Sequence, residues 1–235
     1  MNIETNDKLI RRNARIAQIA MFAGLIVLVA GMVLSFRNPE LFSLSLVALL
    51  LGFTLSQVGI YFGNRWGRRP RPDELLNQAL KGLDGRYTLY HYKTPTAHLL
   101  IGPSGIWALF PRNQRGTISF SKGRWRQSGG GLVMSYLKLF AQEGLGRPDL
   151  EIQNDFDKLE KFLKQVLGDE NIPPLNAALV FTSEKAEINI PEDGEQPPIP
   201  TLALGKLKDY LRKFAKTKPI SLDKSLEIQK QITGQ

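Results

Sequence analysis

Residues 94–116 read TPTAHLLIGPSGIWALFPRNQRG, and the fold of the second half of the chain follows from them. Two short apolar runs, 98–102 and 106–110, flank the sequence Gly102-Pro103-Ser104-Gly105. Because Pro presets φ at the second position of a β-turn and Gly suits the fourth, this segment predicts a strand, a turn and a strand. The second run is almost wholly apolar, which is typical of a strand buried on both faces in the middle of a sheet. A third strand is predicted at 117–121 and a fourth around Trp125, with a turn at Lys122-Gly123.

The same stretch resembles the core motif of the nuclease-related domain (NERD), a branch of the PD-(D/E)XK nuclease superfamily. That motif runs Asp-His, apolar residues, Gly-Pro-x-Gly, apolar residues, Glu-x-Lys and a nearby Gly. A Glu-containing helix before the motif, a Trp after it and a later helix with a Gln also fit, so the resemblance covers roughly residues 73–218. The matching positions of the motif are His98, Gly102, Pro103, Gly105 and Gly116.

The resemblance implies an α/β domain of the restriction-endonuclease-like kind. We expect a helix, a central mixed sheet of about four to six strands, a second long helix packed on the sheet, and a returning strand and helix. The hydrophobic periodicity of the chain alone supports α/β. It predicts helices at 73–83, 149–167 and 202–215, and strands at 86–92, 177–182 and 187–190. Residues 132–146 are ambiguous, with a helical alternative in VMSYLKLF.

The catalytic positions of the motif carry other residues. Ala97 stands where the family has its metal-binding Asp, Phe110 where it has Glu, and Arg112 where it has Lys. A methyl group and a phenyl ring offer no oxygen to a hard cation, and a guanidinium gives up no proton near neutral pH. Glu74 matches a helix Glu that assists the metal, and Gln153 matches a helix Gln near the site. For these two we favour a charge at a helix start and an ordinary hydrogen bond. The resemblance therefore implies a fold with no catalytic residue, no metal and no cofactor.

Two further functions stay open at this point. One is a nuclease whose metal site has been rebuilt from Glu74, Asp73 or Asp84, with Gln153. The other is a protein that binds nucleic acid without cutting it, for which Trp125 between two arginines could stack on a base, although a packing role is favoured. The two histidines, His91 and His98, have no Cys or paired His near them in sequence and predict no ligand set. The chain has no Cys, which excludes disulfides and thiolate metal sites.

Two long runs without charge precede this domain, at 16–36 and 41–62. At about 1.5 Å per residue, each helix would span roughly 30 Å, the thickness of the hydrocarbon core of a bilayer. Between them, Arg37-Asn38-Pro39-Glu40 reads as a tight turn. The sequence therefore predicts a transmembrane helical hairpin.

Basic residues flank the outer ends of the two spans, which predicts an integral membrane protein with both termini in the cytoplasm. They would also attract anionic lipid head groups by about 1 kcal/mol each. Of the net charge of +9, residues 1–72 hold +6 and residues 73–235 only +3, so nucleic-acid binding is expected to be weak. These flanking residues are Arg11, Arg12, Arg15, Arg65, Arg68, Arg69 and Arg71.

The predicted organisation has five parts. They are a basic N-terminus (1–15), the hairpin (16–62), an extended Pro/Arg linker (63–72), the NERD-like domain (73–218) and a polar tail (219–235). Gly59 and Gly63 have GxxxG spacing, for which we favour packing within the hairpin, with homodimerisation as the alternative. The leading function is a membrane-anchored, catalytically inactive binding or scaffolding module with a protein partner.

Overall fold

The computed structural model describes residues 1–129, 145–168 and 172–234. It divides into two compact units. The hairpin unit is Asp7–Arg71, and the sheet unit joins Met1–Asn6 to Pro72–Gln235. The sequence VMSYLKLF lies outside the described residues, so the helical alternative there stays a prediction.

The hairpin unit consists of helix α1 (Asp7–Arg37), a 3₁₀ turn (Pro39–Leu41) and helix α2 (Phe42–Phe62). Both helices are long and apolar enough to cross a membrane. The residues after α2 differ from the predicted extended linker, because Gly63–Gly67 continues as a π-helical turn before the chain becomes extended at Arg68.

Glycines bring α1 and α2 into close contact. A Cβ at Gly24 would lie 2.8 Å from the backbone nitrogen of Ser56, and one at Gly59 would lie 2.9 Å from that of Met21. Nothing lies within 4 Å of a Cβ at Gly63. Gly59 is thus occupied by packing within the hairpin, as favoured from the sequence, and α1 and α2 approach at distances that only glycine allows.

The sheet unit is a mixed α/β domain with helices on both faces of a six-stranded sheet. The strand order is β1-β2-β3-β4-β7-β9, in which β2, β3 and β4 form an antiparallel meander and the remaining neighbours are parallel. A second sheet has the order β6-β5-β8. The strands are β1 (Asn2–Thr5), β2 (Thr88–His91), β3 (His98–Gly102), β4 (Gly105–Arg112), β5 (Gly116–Ser121), β6 (Arg124–Ser128), β7 (Leu175–Phe181), β8 (Ala186–Ile188) and β9 (Thr201–Ala203), and the helices are α3 (Pro72–Leu80), α4 (Pro148–Leu167), α5 (Leu204–Thr217) and α6 (Leu222–Thr233).

Successive residues of β3 and β4 point to opposite faces of the sheet and so supply two separate cores. Leu99 and Phe110 belong to the core on the face covered by α4 and α6. Leu100 and Leu109 belong to the core on the face covered by α3 and α5. Both faces are therefore buried, which explains why the sequence of β4 is apolar at nearly every position.

Two segments contradict the predicted boundaries of the domain. Asn2–Thr5, expected in a separate basic N-terminus, forms β1 and pairs in parallel with β2. The expected polar tail forms α6, where Ile228 and Ile232 are buried against the sheet. Strand β9 was also not predicted. The domain thus includes both ends of the described chain, and the hairpin unit is inserted between its first and second strands.

Candidate functional site at the ends of β3 and β4

The three catalytic positions of the motif, Ala97, Phe110 and Arg112, lie at one end of the six-stranded sheet, where β3 begins and β4 ends. Leu99 pairs with Ala108 in the antiparallel register, so the register continued by two residues sets Ala97 opposite Phe110. Ala97 lies just before β3, and its carbonyl accepts a hydrogen bond of 2.8 Å from the amide of Tyr92. The chain therefore brings together the two positions at which the motif described above has carboxylates.

Phe110 is part of the hydrophobic core at this end of the sheet. Its side chain is 8% exposed and clusters with Leu99, Ala108 and Leu179. A hydrated divalent ion needs oxygen ligands and space for its waters. The phenyl ring supplies neither, so this position packs the core instead of facing a ligand.

Arg112, at the last position of β4, forms an ion pair with Glu151 on α4. The guanidinium is about four-fifths buried, and its Nε has no hydrogen-bond partner among the described residues. The backbone carbonyl of Arg112 accepts from the amide of Thr182 at 2.8 Å. Arg112 thus links β4 to α4 through a carboxylate, whereas the Lys of the family motif would act on substrate.

The residues proposed for a rebuilt metal site lie apart from this end of the sheet or from one another. Glu74 is on α3, whose buried leucines pack on the sheet face opposite to that of Phe110. Gln153 is exposed on α4, which covers the other face. Asp84 lies before β2 and pairs with Arg86, which lowers the pKa of its carboxyl through hydrogen bonds from that side chain. Within residues 1–129, 145–168 and 172–234, no group of three or more His, Cys, Asp and Glu side chains could hold a metal ion.

The glycines of the motif have conformational roles. A Cβ at Gly102 would lie 2.2 Å from the ring of Tyr87, and Gly105 has φ +99°, in the left-handed region. Between them, Ser104 accepts a hydrogen bond of 2.8 Å through its carbonyl from Nε1 of Trp107. In the turn predicted from the sequence, glycine is therefore required at position 102 by close packing and at position 105 by its backbone conformation.

The structure pairs the two histidines that the sequence left without partners. His91 and His98 lie opposite each other on β2 and β3, both buried, with their Nδ1 atoms 2.7 Å apart. Nε2 of His91 lies 3.0 Å from Oδ1 of Asn77 on α3. An amide oxygen can only accept, so Nε2 of neutral His91 carries hydrogen, and its Nδ1 accepts from Nδ1–H of His98. The sequence did not predict this contact between the two histidines, and its signal is the turn-rich Lys93-Thr94-Pro95-Thr96 between them.

A polar network lies on the α4/α6 face of β2. The side chain of Gln229 on α6 donates to the carbonyls of Arg86 (2.9 Å) and Ile101 (3.1 Å) and accepts from Thr88 at 3.1 Å. The hydroxyl of Tyr90 donates to the carbonyl of Gln229 at 3.2 Å, and burial raises the pKa of this phenol. Sequence reasoning missed these residues because α6 itself was not predicted.

Trp125, for which base stacking stayed open, and the cations of helix α5 make contacts within the sheet unit. Trp125 is buried, and its Nε1 donates to the hydroxyl of Thr201 at 3.0 Å, in agreement with the favoured packing role. On the basic helix α5, Lys208 donates to the carbonyl of Lys81 (3.2 Å) and Arg212 to that of Gly82 (2.9 Å). These two cations therefore bind the carbonyls that follow α3.

Comparison with family models, with curated proteins and with solved structures finds no match for this chain. By its fold, the sheet unit belongs to the class of mixed α/β domains with helices on both faces of the sheet. Two long apolar helices are inserted after its first strand.

Proposed function

We propose that the chain is a membrane-anchored, catalytically inactive domain of the NERD type that acts as a binding or scaffolding module on the cytoplasmic face. The observation that carries the proposal is the burial of Phe110 in the core, at the position where the motif would place a metal-binding Glu. Ala97 opposite it and the ion pair of Arg112 with Glu151 agree with a scaffold that has lost its chemistry.

The order of elements supports the NERD part of the proposal. After α3 come the meander β2-β3-β4, the long helix α4, strand β7 parallel to β4, and helix α5. This is the succession of helix, mixed sheet, second long helix and returning strand and helix that the motif led us to expect. The order of elements is therefore compatible with the proposal.

The connectivity of the two units supports the predicted topology. Asn6 and Pro72, which flank the hairpin unit, both belong to the sheet unit. If α1 and α2 cross a membrane, the sheet unit can form only when both flanks lie on one side. The arginines at those flanks make that side the cytoplasm. A reporter fused after Gln235 is expected to report a cytoplasmic location, and a tag at Asn38 should be reached from outside. A C-terminus found outside would contradict the orientation.

Restoring the motif residues tests the proposal that this is a NERD-type domain whose metal ligands have been replaced. The variant Ala97→Asp/Phe110→Glu/Arg112→Lys puts the motif residues back, and Ala97→Asn/Phe110→Gln/Arg112→Lys is the matched control with the same shapes and no carboxylates. Two oxygen ligands at this end of the sheet should bind Mn²⁺ or Mg²⁺. We expect the restored full-length protein, purified in detergent, to gain thermal stability with Mn²⁺, and the amide control to gain none.

The unmodified protein should show no cation-dependent cleavage of DNA or RNA. Such cleavage, abolished by Glu74→Ala, would overturn the proposal and favour a rebuilt metal site. A folded restored variant that takes up no cation would instead contradict the NERD assignment. The two failures are therefore distinguishable.

A further inference from the structure

Strand β1 is the edge of the six-stranded sheet, and one side of it lacks a partner strand among the described residues. The amides of Asn2 and Asn6 donate to the carbonyls of Tyr87 (2.8 Å) and His91 (3.0 Å), which lie toward β2. Backbone groups of successive strand residues point to opposite edges. The N–H and C=O groups of Ile3 and Thr5 therefore point away from β2, where an added strand would meet them.

A groove runs beside this edge, between β1 and helix α6. Its volume is about 730 Å³, and all the residues that line it belong to the sheet unit. Leu226, Lys230 and Thr233 of α6 form one wall, and β1 forms the other. An open edge alone is a common feature, whereas an open edge beside a helical wall resembles the architecture in which extended peptides bind by strand addition.

The side chains of the groove favour particular residues in such a peptide. Leu226 on α6 is a large apolar side chain and is 39% exposed. Ile3 is 47% exposed, and its side chain lies on the sheet face opposite to α6. Glu4 is engaged by Lys93 at 2.5 Å and by Thr233 at 3.3 Å. Lys230 is exposed and takes part in no ion pair within the described part of the chain. The charge of the groove that still lacks a counter-ion is therefore positive.

From these observations we infer that β1 and α6 form a docking site for an extended segment of a partner protein, which adds to the sheet beside β1. The segment carries apolar residues and an acidic residue that faces Lys230. Ile3 pairs in register with Leu89 and Glu4 with Tyr90, whose side chains lie on opposite faces of the sheet. An added strand alternates in the same way, so its acidic residue and the apolar residue beside Ile3 stand at odd sequence spacing. This site is separate from the end of the sheet at Phe110 and does not depend on the nuclease resemblance.

The test uses the full-length protein in nanodiscs and a phage-displayed library of random linear peptides, with empty nanodiscs subtracted. We expect the selected peptides to combine an acid with apolar residues at odd spacing. Binding of one synthesised peptide is then measured against Ile3→Pro and its matched control Ile3→Ala. Proline removes the outward N–H and leaves the bonds of Asn2 and Asn6 to β2 in place. The loss of one hydrogen bond should weaken binding about three- to tenfold beyond the effect of Ile3→Ala.

Lys230→Glu is the second variant, and because it lies on the exposed face of α6 it does not depend on the folding of β1. This variant should bind the acidic peptide about three- to tenfold more weakly, and peptides selected against it should be enriched in Lys and Arg. Three results would overturn the proposal: no enrichment over empty nanodiscs, equal binding by Ile3→Pro and Ile3→Ala, or no change of charge preference with Lys230→Glu. Protection of the Ile3 amide that rises with protein concentration, with no peptide present, would also overturn it by assigning the edge to a second copy.

Discussion

In the hairpin unit the buried positions of the helices are mainly small residues, such as Ala17, Gly24 and Gly52, and the large apolar side chains lie outside. Phe22, for example, is 66% exposed. In the sheet unit the arrangement is reversed, and Leu100 is fully buried. This difference is the one expected if the hairpin unit lies in lipid and the sheet unit in water. Water drives apolar side chains into a core, whereas lipid does not, so helices in lipid associate through close contact of small residues.

The largest expected effect concerns α6, because its loss should unfold the sheet unit and leave the hairpin unit intact. A chain that ends at Lys218 loses the buried side chains of Ile228 and Ile232, each worth about 1.5–3 kcal/mol. It also leaves the carbonyls of Arg86 and Ile101 without the donor from Gln229, at about 1–3 kcal/mol. The total is comparable with the whole stability of a domain, about 5–15 kcal/mol.

Limited proteolysis in detergent measures this effect. Rapid cleavage within residues 72–218 and continued protection of 16–62 are expected. A chain that ends at Thr233 is the matched control and should resist protease like the full-length protein. Equal resistance of the chain ending at Lys218 would show that α6 is dispensable.

The second prediction places a charge on each kind of surface. Ile26 is 68% exposed on α1 and Leu150 is 54% exposed on α4. If α1 lies in lipid, Ile26→Lys should cost about 2.5–3.5 kcal/mol of insertion free energy, since an ammonium is costly near the bilayer centre. Leu150→Lys, in water, should change stability by less than about 0.5 kcal/mol. Membrane fractionation checks the first variant and thermal unfolding the second. If Ile26→Lys inserts as well as the unmodified protein, the helix surface faces water and the comparison fails.

The segments that could be predicted from sequence are those whose local pattern is sufficient. The turn at Pro103 and Gly105 predicts β3 and β4, and the length of the uncharged runs predicts α1 and α2. Phe110, as part of an apolar run, was expected to be buried. Arg112 was known to be a cation, but its pairing with Glu151 depends on how α4 packs on the sheet, which no local pattern contains.

The segments that were missed depend on contacts distant in sequence. Asn2–Thr5 is only four residues long and pairs with Thr88–His91, so its own pattern is weak evidence for a strand. Helix α6 buries the polar side chains of Ser225 and Gln229 beside Ile228, which hides its periodicity. One signal was available, since Ser221 caps this helix by accepting a hydrogen bond from the amide of Lys224.

The third prediction tests the glycine packing of the hairpin. A Cβ at Gly52 would lie 2.8 Å from the backbone nitrogen of Leu28, so Gly52→Ala must push α1 and α2 apart. We expect a loss of about 1–3 kcal/mol, the usual cost of overpacking. Gly63→Ala is the matched control, because nothing lies within 4 Å of its added Cβ. Thermal unfolding of the hairpin in detergent measures both. A destabilised Gly63→Ala with an unchanged Gly52→Ala would favour helix contacts between two copies instead.

The smallest effect concerns the hydrogen bond between His91 and His98, which lies inside the core of the sheet unit. His98→Leu leaves Nδ1 of His91 buried and without its donor, whereas His91→Leu leaves the Nδ1–H of His98 buried and without its acceptor. Each single variant should lose about 1–3 kcal/mol, the cost of an unsatisfied buried polar group. The double variant removes both members of the pair, so its loss should fall short of the sum of the two single losses by about 0.5–1.5 kcal/mol. Denaturant unfolding of all four proteins in detergent measures this coupling. Strictly additive losses would contradict this prediction. They would mean that each imidazole stabilises the β2–β3 pair through its own packing and not through the hydrogen bond between the two Nδ1 atoms.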